Sequence, residues 1–360
     1  MSAPLTLLFN EAYRGTYQLI HLLRAAASPR RLVVHGTHSV SSTPFLQACD
    51  HAGAEPAATG ADFVAWALDY CDRYGVDVFV PGREMLAAAR AEAAFEAIGV
   101  RLMVSPAAAV QLLADKCTTY AAAPTLGIAV PRWHRAETAA EVLAAHDALA
   151  ADGLAVCVKP AVDHGARGFR VIDPDADDPA TLAAPPSVHI TLERLLGLLE
   201  RAGRFPVLVV GELLEGPEWS VDCVSDGLGR LLVAVPRGKS GLPWTRELAA
   251  EPDVIALARA AVQGWGLRWL SNVQVRRRAG GEPVLLEVNT RASSGLYQSC
   301  ASGVDLAWLA LRLLLDGTEA ALADGLPTPR LPVSLIAMTT AIPFLPATPP
   351  GGQPPTGERA

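Results

Sequence analysis

The run Asn272-Val273-Gln274-Val275-Arg276, a Gly280-Gly281 pair, and the run Leu285-Leu286-Glu287-Val288-Asn289-Thr290-Arg291 leave few ways for this stretch to fold. Apolar and polar residues alternate on both sides of the glycines, which predicts a β-hairpin closed by a two-residue turn. In that register Gln274 opposes Glu287 and Asn272 opposes Asn289, and opposed residues of an antiparallel pair project to one face. That face collects Asn272, Gln274, Glu287, Asn289 and Arg291, while Val273, Val275, Leu286 and Val288 are free to be buried. A carboxylate beside amide oxygens is a hard-oxygen set suited to Mg²⁺ that keeps waters and bridges phosphates. An amphipathic hairpin whose polar face simply meets water fits the same pattern.

A chain of 360 residues exceeds one small core, so two or three packed units are expected. Hydrophobic residues make up 51% and charged residues 19%, a globular rather than a disordered balance. The formal net charge of −7 argues against nucleic acid or an anionic membrane as the main partner. No run of about 18 uncharged apolar residues occurs; residues 306–315 come nearest and Arg312 interrupts them. The start of the chain, with Asn10-Glu11 so early, lacks the basic start and apolar core of an export signal. Six scattered cysteines without a CxxC read as free thiols in a reducing compartment, and a cytoplasmic location is expected.

Residues 1–106 alternate apolar runs (Leu5–Phe9, Arg31–His35, Val76–Pro81) with helical stretches (Thr16–Ala27, Asp62–Tyr74, Glu84–Ile98). This predicts a doubly wound parallel sheet, which binds ligands at the carboxyl ends of its strands. There is no GxGxxG, which disfavours a nicotinamide cofactor. A second unit is expected over 107–330, opening with a helix near 107–121 that ends around Asp115-Lys116. Strands follow at Ala155–Lys159, Phe169–Ile172, Val207–Leu213, Ser220–Ser225 and Leu231–Val235, with helices at 191–202, 253–264 and 305–315. Residues 331–344 read as a C-terminal strand segment, and the Pro/Gly-rich 345–360 as a disordered tail.

Three further stretches carry chemistry. Val156-Cys157-Val158-Lys159-Pro160 runs into Asp163-His164-Gly165-Ala166-Arg167-Gly168, a small-residue loop whose backbone amides can approach phosphate oxygens, with Lys159 and Arg167 supplying charge. An exposed turn beside a lysine is the bland alternative. Gly211-Glu212-Leu213-Leu214-Glu215-Gly216-Pro217-Glu218 is an apolar strand entering an acidic turn, able to pair an adenine edge and ribose hydroxyls or simply to be solvated. His35-Gly36-Thr37-His38 reads as two polar loop histidines, since that spacing on a strand end does not bring the rings together.

Taken in order, Asp115-Lys116, Val158-Lys159-Pro160 with Gly165–Gly168, Glu212–Glu218, and Asn272-Val273-Gln274 with Glu287–Arg291 resemble the ATP-grasp superfamily, in its carbamoyl-phosphate-synthase-like and amino-acid-ligase-like branch. Pro217–Asp222 and Ala301–Leu306 look like the subgroup associated with tellurite-resistance operons. The resemblance implies a Rossmann-like pre-ATP-grasp domain over 1–106 and a two-lobed ATP-grasp domain over 107–330, with a lid lobe at about 120–205 and a metal lobe at about 206–330. By position it implies that Lys116 and Lys159 contact nucleotide phosphates and that Gly165, Arg167 and Gly168 form a lid. Glu212 and Leu214 match the adenine hinge, and Glu218 the ribose contact. Gln274, Glu287 and Asn289 match ligands of Mg²⁺ or Mn²⁺, and Arg291 matches the arginine facing the reacting oxyanion. Arg237 and Lys239 are looser matches to phosphate contacts. Gln274 stands where many relatives have an acid, which lowers the charge offered to a second ion.

The resemblance implies an ATP- and Mg-dependent, ADP-forming ligase joining a small-molecule carboxylate to an amine or thiol through an acyl phosphate. It also implies that homodimers are common. The other reading is an ATP-binding ATP-grasp protein without turnover, acting as a sensor or partner module. Trp244, Arg246, Tyr297 and Gln298 are candidates for a substrate pocket, or for core and loop packing.

Overall fold

The computed structural model describes residues 3–27, 30–163, 167–177, 187–239, 242 and 244–338. Its N-terminal apolar runs become β1 (Leu5–Asn10), β2 (Leu32–His38), β3 (His51–Ala54), β4 (Val78–Pro81) and β5 (Arg101–Leu102). They pair in the order β3-β2-β1-β4-β5, each neighbour parallel. The central strand β1 sends Leu5, Leu7 and Phe9 into one core and Leu8 into another, which is why its sequence is apolar at consecutive positions 7–9 rather than alternating. Helix Thr16–Ala27 covers the first face through Leu19, Ile20 and Leu23. Helix Gly60–Tyr74 covers the second through Phe63, Ala67 and Cys71. The expected doubly wound sheet is present.

Strand order reverses between β1 and β4, the switch point at which such sheets take ligands. Just beyond these strands Glu11 (φ 44°) and Glu84 (φ 55°) hold left-handed backbone without being glycine, a strain of about 1–3 kcal/mol each. A buried network ties this edge. Asn10 Nδ2 donates to Glu55 Oε1 (3.0 Å), Thr37 Oγ1 to Glu55 Oε2 (2.9 Å), Arg83 Nε to Glu55 Oε1 (2.9 Å), and the Gly82 amide to Asn10 Oδ1 (2.8 Å). Burial pushes the Glu55 carboxyl up despite these donors.

Sequence pattern and structure part in particular places. The stretch 84–98 is two short helices, Met85–Arg90 and Glu92–Ala97, broken at Ala91 (φ −99°, ψ 13°). His35 and His38 lie within β2, not in a loop. His35 is 4% exposed against His51, Tyr70 and Tyr74, and burial followed by His51 lowers its pKa to about 4. His38 Nε2 lies 3.0 Å from Glu11 Oε2. The helix expected over 107–121 is Ala107–Leu113 and Lys116–Ala122. Asp115 caps the second, Oδ1 accepting from the Cys117 amide at 2.6 Å, so Lys116 opens a helix rather than ending one.

By contacts the chain forms two units. The larger comprises residues up to Gln111, Trp219–Val273 and the chain from Val288; the smaller comprises Leu112–Glu218 and Gln274–Glu287. In the smaller, β6 (Trp133–Ala136), β7 (Val156–Pro160), β8 (Arg170–Ile172), β9 (His189–Ile190) and β10 (Leu208–Glu212) pair as β6-β10-β7-β8-β9. Helices Ala139–Ala151 and Leu192–Ala202 close its core with Val142, Leu149 and Leu195. Thr138 and Glu141 start the first of these as a capping box, a signal present in the sequence and not read there.

The third sheet contains β11 (Glu218–Ser225), β12 (Leu231–Gly238), β13 (Thr245–Leu248), β14 (Trp269–Arg277), β15 (Pro283–Asn289) and β16 (Val333–Ile336), in the order β15-β14-β11-β12-β13-β16. The β14–β15 connection is not the two-residue turn expected. The Arg278 amide donates to Glu282 O and the Gly281 amide to Arg278 O, both at 2.9 Å, with Gly281 at φ 89°. Ala279-Gly280-Gly281 is therefore a three-residue loop closed by Arg278 and Glu282, its last residue in the conformation glycine tolerates best. In the larger unit, helix Leu306–Ala321 buries Leu306, Leu309, Leu311 and Leu313 in one core with Val233, Val235 and helix Thr16–Ala27. Residues 345–360 lie outside the described residues, as do 339–344. All six cysteines are free thiols, and no described helix is long and apolar enough to cross a membrane.

A Cβ at Gly82 would lie 2.4 Å from Asn10 O and 3.0 Å from Glu11 O, both backbone atoms that cannot step aside. Gly82→Ala should therefore lower stability by about 1–3 kcal/mol, the usual cost of overpacking, read as a lower urea midpoint of unfolding.

Candidate active site

In the smaller unit, the Asp115 cap fixes the start of a helix on which Lys116 and Tyr120 are one turn apart and share a face. Lys116 Nζ donates to Asp163 O at 3.2 Å and lies 3.3 Å from Glu287 Oε2. Lys159, near the end of β7, donates to the Tyr120 hydroxyl at 2.7 Å. That hydroxyl donates in turn to Leu286 O at 2.7 Å, and Tyr120 is only 1% exposed. Two lysines from separate elements thus reach consecutive residues of β15. Desolvation pushes the Lys159 pKa down and the Tyr120 pKa well up, so the phenol stays protonated and able to donate. Gln274 is half-buried on β14. Arg167 and Gly168 form an exposed turn, Gly168 at φ 69°; Gly165 lies outside the described residues.

The acidic segment after β10 is held from the same unit. Glu212 accepts from Arg278 Nε (2.7 Å), Arg278 Nη2 (3.0 Å) and the Arg132 amide (3.0 Å). Burial alone would raise this carboxyl; the Arg278 and Arg132 donors outweigh it and hold it below the ordinary range. Leu214 is buried and Glu218 opens β11 half-buried. Between them the Gly216 amide donates to Arg277 O (3.0 Å) and Arg276 Nε donates to Gly216 O (2.9 Å). A Cβ at Gly216 would stand 2.5 Å from Arg277 O, so only glycine permits this approach.

In the larger unit, Asn289 ends β15 half-buried, next to buried Val288. Arg291 places its guanidinium carbon 4.2 Å from the Tyr13 ring centroid and donates to Ala292 O at 3.0 Å. Arg237 is buried, and its Nη2 donates to Ser293 Oγ (3.1 Å), Ser220 Oγ (3.3 Å) and Asp222 Oδ2 (3.3 Å). Asp222 also accepts from Ser299 Oγ (2.6 Å) and Asn272 Nδ2 (2.9 Å). Asn272, expected on a polar face, is thus locked in a buried network. Lys239 is exposed. A cavity of about 60 Å³ opens beside Arg291, lined chiefly by apolar side chains. Trp244, Arg246, Tyr297 and Gln298 do not line it.

Tyr120, Tyr13, Asp222 and Arg278 were not singled out from sequence. Tyr120 is one helical turn from Lys116, a spacing that could have revealed it, and Asp222 lies on β11 between apolar neighbours with no such signal. As donors for a hard cation, Gln274, Glu287 and Asn289 are all oxygen ligands with one negative charge, a set that fits Mg²⁺ with retained waters. Among the described residues there is no group of three or more His, Cys, Asp or Glu that could hold a metal ion.

Residues 204–334 match the family model described as ATP-grasp in the biosynthetic pathway with Ter operon. The structure is similar to L-amino acid ligase from Bacillus licheniformis, with a TM-score of 0.62 and 16% identity over 91% of this chain and 78% of that one. This chain has the ATP-grasp fold. It is also similar to the ADP complex of purK, an N5-carboxyaminoimidazole ribonucleotide synthetase (TM-score 0.66, 14% identity, 93% of this chain and 82% of that one). The biotin carboxylase domain of Hydrogenobacter thermophilus 2-oxoglutarate carboxylase, solved with MgADP and bicarbonate, is similar too (TM-score 0.63, 15% identity, 88% of this chain and 71% of that one). No curated protein matches the sequence.

The Tyr120 hydroxyl yields two predictions. Tyr120→Phe leaves Leu286 O without its donor and Lys159 without its acceptor, which should cost about 1–3 kcal/mol in a urea unfolding curve. Because the folded pKa of Lys159 lies below 10.5, the unfolded chain binds more protons between the two values, and stability attributable to Lys159 rises with pH across that window. Lys159→Met should flatten that rise when the unfolding midpoint is followed as pH approaches 10.5.

Proposed function

We propose that this protein is an ATP- and Mg²⁺-dependent, ADP-forming ligase that joins a small-molecule carboxylate to an amine or thiol through an acyl phosphate. The observation that carries the reading is the convergence of Lys116 on Glu287 and of Lys159, through Tyr120, on Leu286. Lysines beside a carboxylate on a rigid strand are what a polyphosphate needs, because phosphoryl transfer depends on positioning and charge neutralisation rather than on a side-chain nucleophile.

In this scheme Lys116 and Lys159 hold the phosphates, Arg167, Gly165 and Gly168 close over them, Glu212 and Leu214 frame the adenine, and Glu218 accepts from the ribose. Gln274, Glu287 and Asn289 would hold Mg²⁺ or Mn²⁺, which supplies charge neutralisation at the transferring group. A carboxylate oxygen forms a bond to the γ-phosphorus as the bond to the β,γ-bridging oxygen breaks, releasing ADP. The amine then attacks the acyl carbon, loses a proton, and expels inorganic phosphate. Arg291 stabilises the negative oxygen in both steps. Arg237 supports the 293–299 segment through Nη2, which donates to Asp222, Ser220 and Ser293.

Incubation with MgATP and a panel of carboxylates and amines should release ADP and phosphate. AMP with pyrophosphate would replace this reading with adenylation chemistry. Glu287→Ala should abolish Mg²⁺-dependent turnover with the unfolding curve intact. Arg291→Ala should lower turnover by about 10²–10³, the range for loss of one oxyanion donor, and near-normal turnover would remove it from the scheme.

A further inference from the structure

The cavity beside Arg291 lies wholly within the larger unit and has a two-part character. Its wall is apolar, made by Phe9, Leu19, Leu23, Met103 and Leu311, while a guanidinium stands at one side, stacked on Tyr13. It sits at the switch point of the parallel sheet, with Val80, Pro81 and Gly82 from the end of β4 in its lining. Two non-glycine residues in left-handed backbone, Glu11 and Glu84, follow the strands that frame it. Such strain persists where the surrounding fold enforces it, and it gathers at ligand sites.

From this geometry we infer that the carboxylate substrate is a short, uncharged aliphatic acid, its carboxylate against Arg291 and its chain in the apolar cavity. The inference rests on the ligase reading for the fate of the carboxylate and goes beyond it in naming the substrate class. Charge complementarity fixes one end: a carboxylate is the natural partner of a guanidinium, through paired N–H donors. The lining fixes the other. A second charge or an amide deep on the chain would lose water against Phe9, Leu19, Leu23, Met103 and Leu311, where the polar side chains of the lining, Tyr13, Thr16 and Arg291, offer few partners, at a cost of several kcal/mol. Volume sets the length. An enclosed apolar cavity of about 150 Å³ accepts benzene, so a space of about 60 Å³ favours an alkyl group of about three or four carbons over a phenyl ring.

The test uses the full chain with MgATP and hydroxylamine as a generic amine, so that any acyl phosphate is trapped as a hydroxamate. The acids are acetate, butyrate, isovalerate, succinate and phenylacetate, with alanine, valine, leucine and aspartate to show whether an α-amino group is accepted. Acids with three- or four-carbon chains should exceed acetate, succinate and phenylacetate in kcat/KM by about tenfold or more, the discrimination a pocket gives per methylene or per unpaired polar group. Ala12→Leu, which narrows the cavity, should shift the ratio of isovalerate to acetate toward acetate by at least tenfold. That ratio is independent of how much of the variant is folded. Preference for succinate or aspartate, or indifference to chain length, overturns the inference. Calorimetry of the same acids with a non-hydrolysable ATP analogue separates the two claims. Aliphatic acids that bind without hydroxamate formation support the pocket and overturn the ligase reading. Turnover on charged acids alone keeps the ligase reading and overturns the pocket, as does failure of every aliphatic acid to bind.

Discussion

One hydroxyl organises the smaller unit. Tyr120, buried on a helix that Asp115 starts, accepts from Lys159 and donates to Leu286 O at 2.7 Å in each case. A desolvated ammonium is tolerated only with partners, and the phenol supplies one without carrying a charge of its own. Because burial raises the Tyr120 pKa, the hydroxyl keeps its proton and can serve both neighbours at once. The position of Lys159 relative to β15 follows from this single group, and with it the electrostatic setting of Glu287.

Two further buried carboxylates, Glu212 and Asp222, anchor their segments through ion pairs. Glu212 and Arg278 join the end of β10 to the hairpin loop through two hydrogen bonds, a geometry that holds better than a single contact. In the larger unit, Asp222 and Arg237 support the segment after Arg291. Ser293 accepts from Arg237, and a Cβ on Gly295 would press within 2.6 Å of that guanidinium. On its other side a Cβ on Gly15 would fall 1.9 Å from Ser294 O. The segment after Arg291 is therefore packed between the first helix and β12. Its conformation is set by close approach, not by its own sequence preferences.

Much of the architecture was legible because apolar period and local chemistry agreed. β1, β7, β10 and the helices at 16–27, 192–202 and 306–321 follow the hydrophobic pattern, since β1 and β10 are buried on both faces and each helix buries one stripe. What failed locally failed for local reasons. The helix over 107–121 ignored the competing cap that Asp115 offers to the Cys117 amide. The hairpin turn counted two glycines as the loop, whereas Arg278 and Glu282 pair across three residues. The strands β5 and β9 have two residues each and carry no period to detect.

Residue types and their order along the chain determined the parallel sheet, the hairpin carrying Glu287, Asn289 and Arg291, and the presence of two lysines ahead of it. These are properties of alternation and spacing, which act through neighbours only a few residues away. Tertiary structure alone decided that Tyr120 joins Lys159 to Leu286, that Arg237 is spent on Asp222, and that Arg291 borders an apolar cavity rather than the residues around 244 and 297. Those outcomes depend on which segments, from 15 to 166 residues apart, bury each other's polar groups, and a desolvation balance of that kind leaves no periodic mark in a linear sequence.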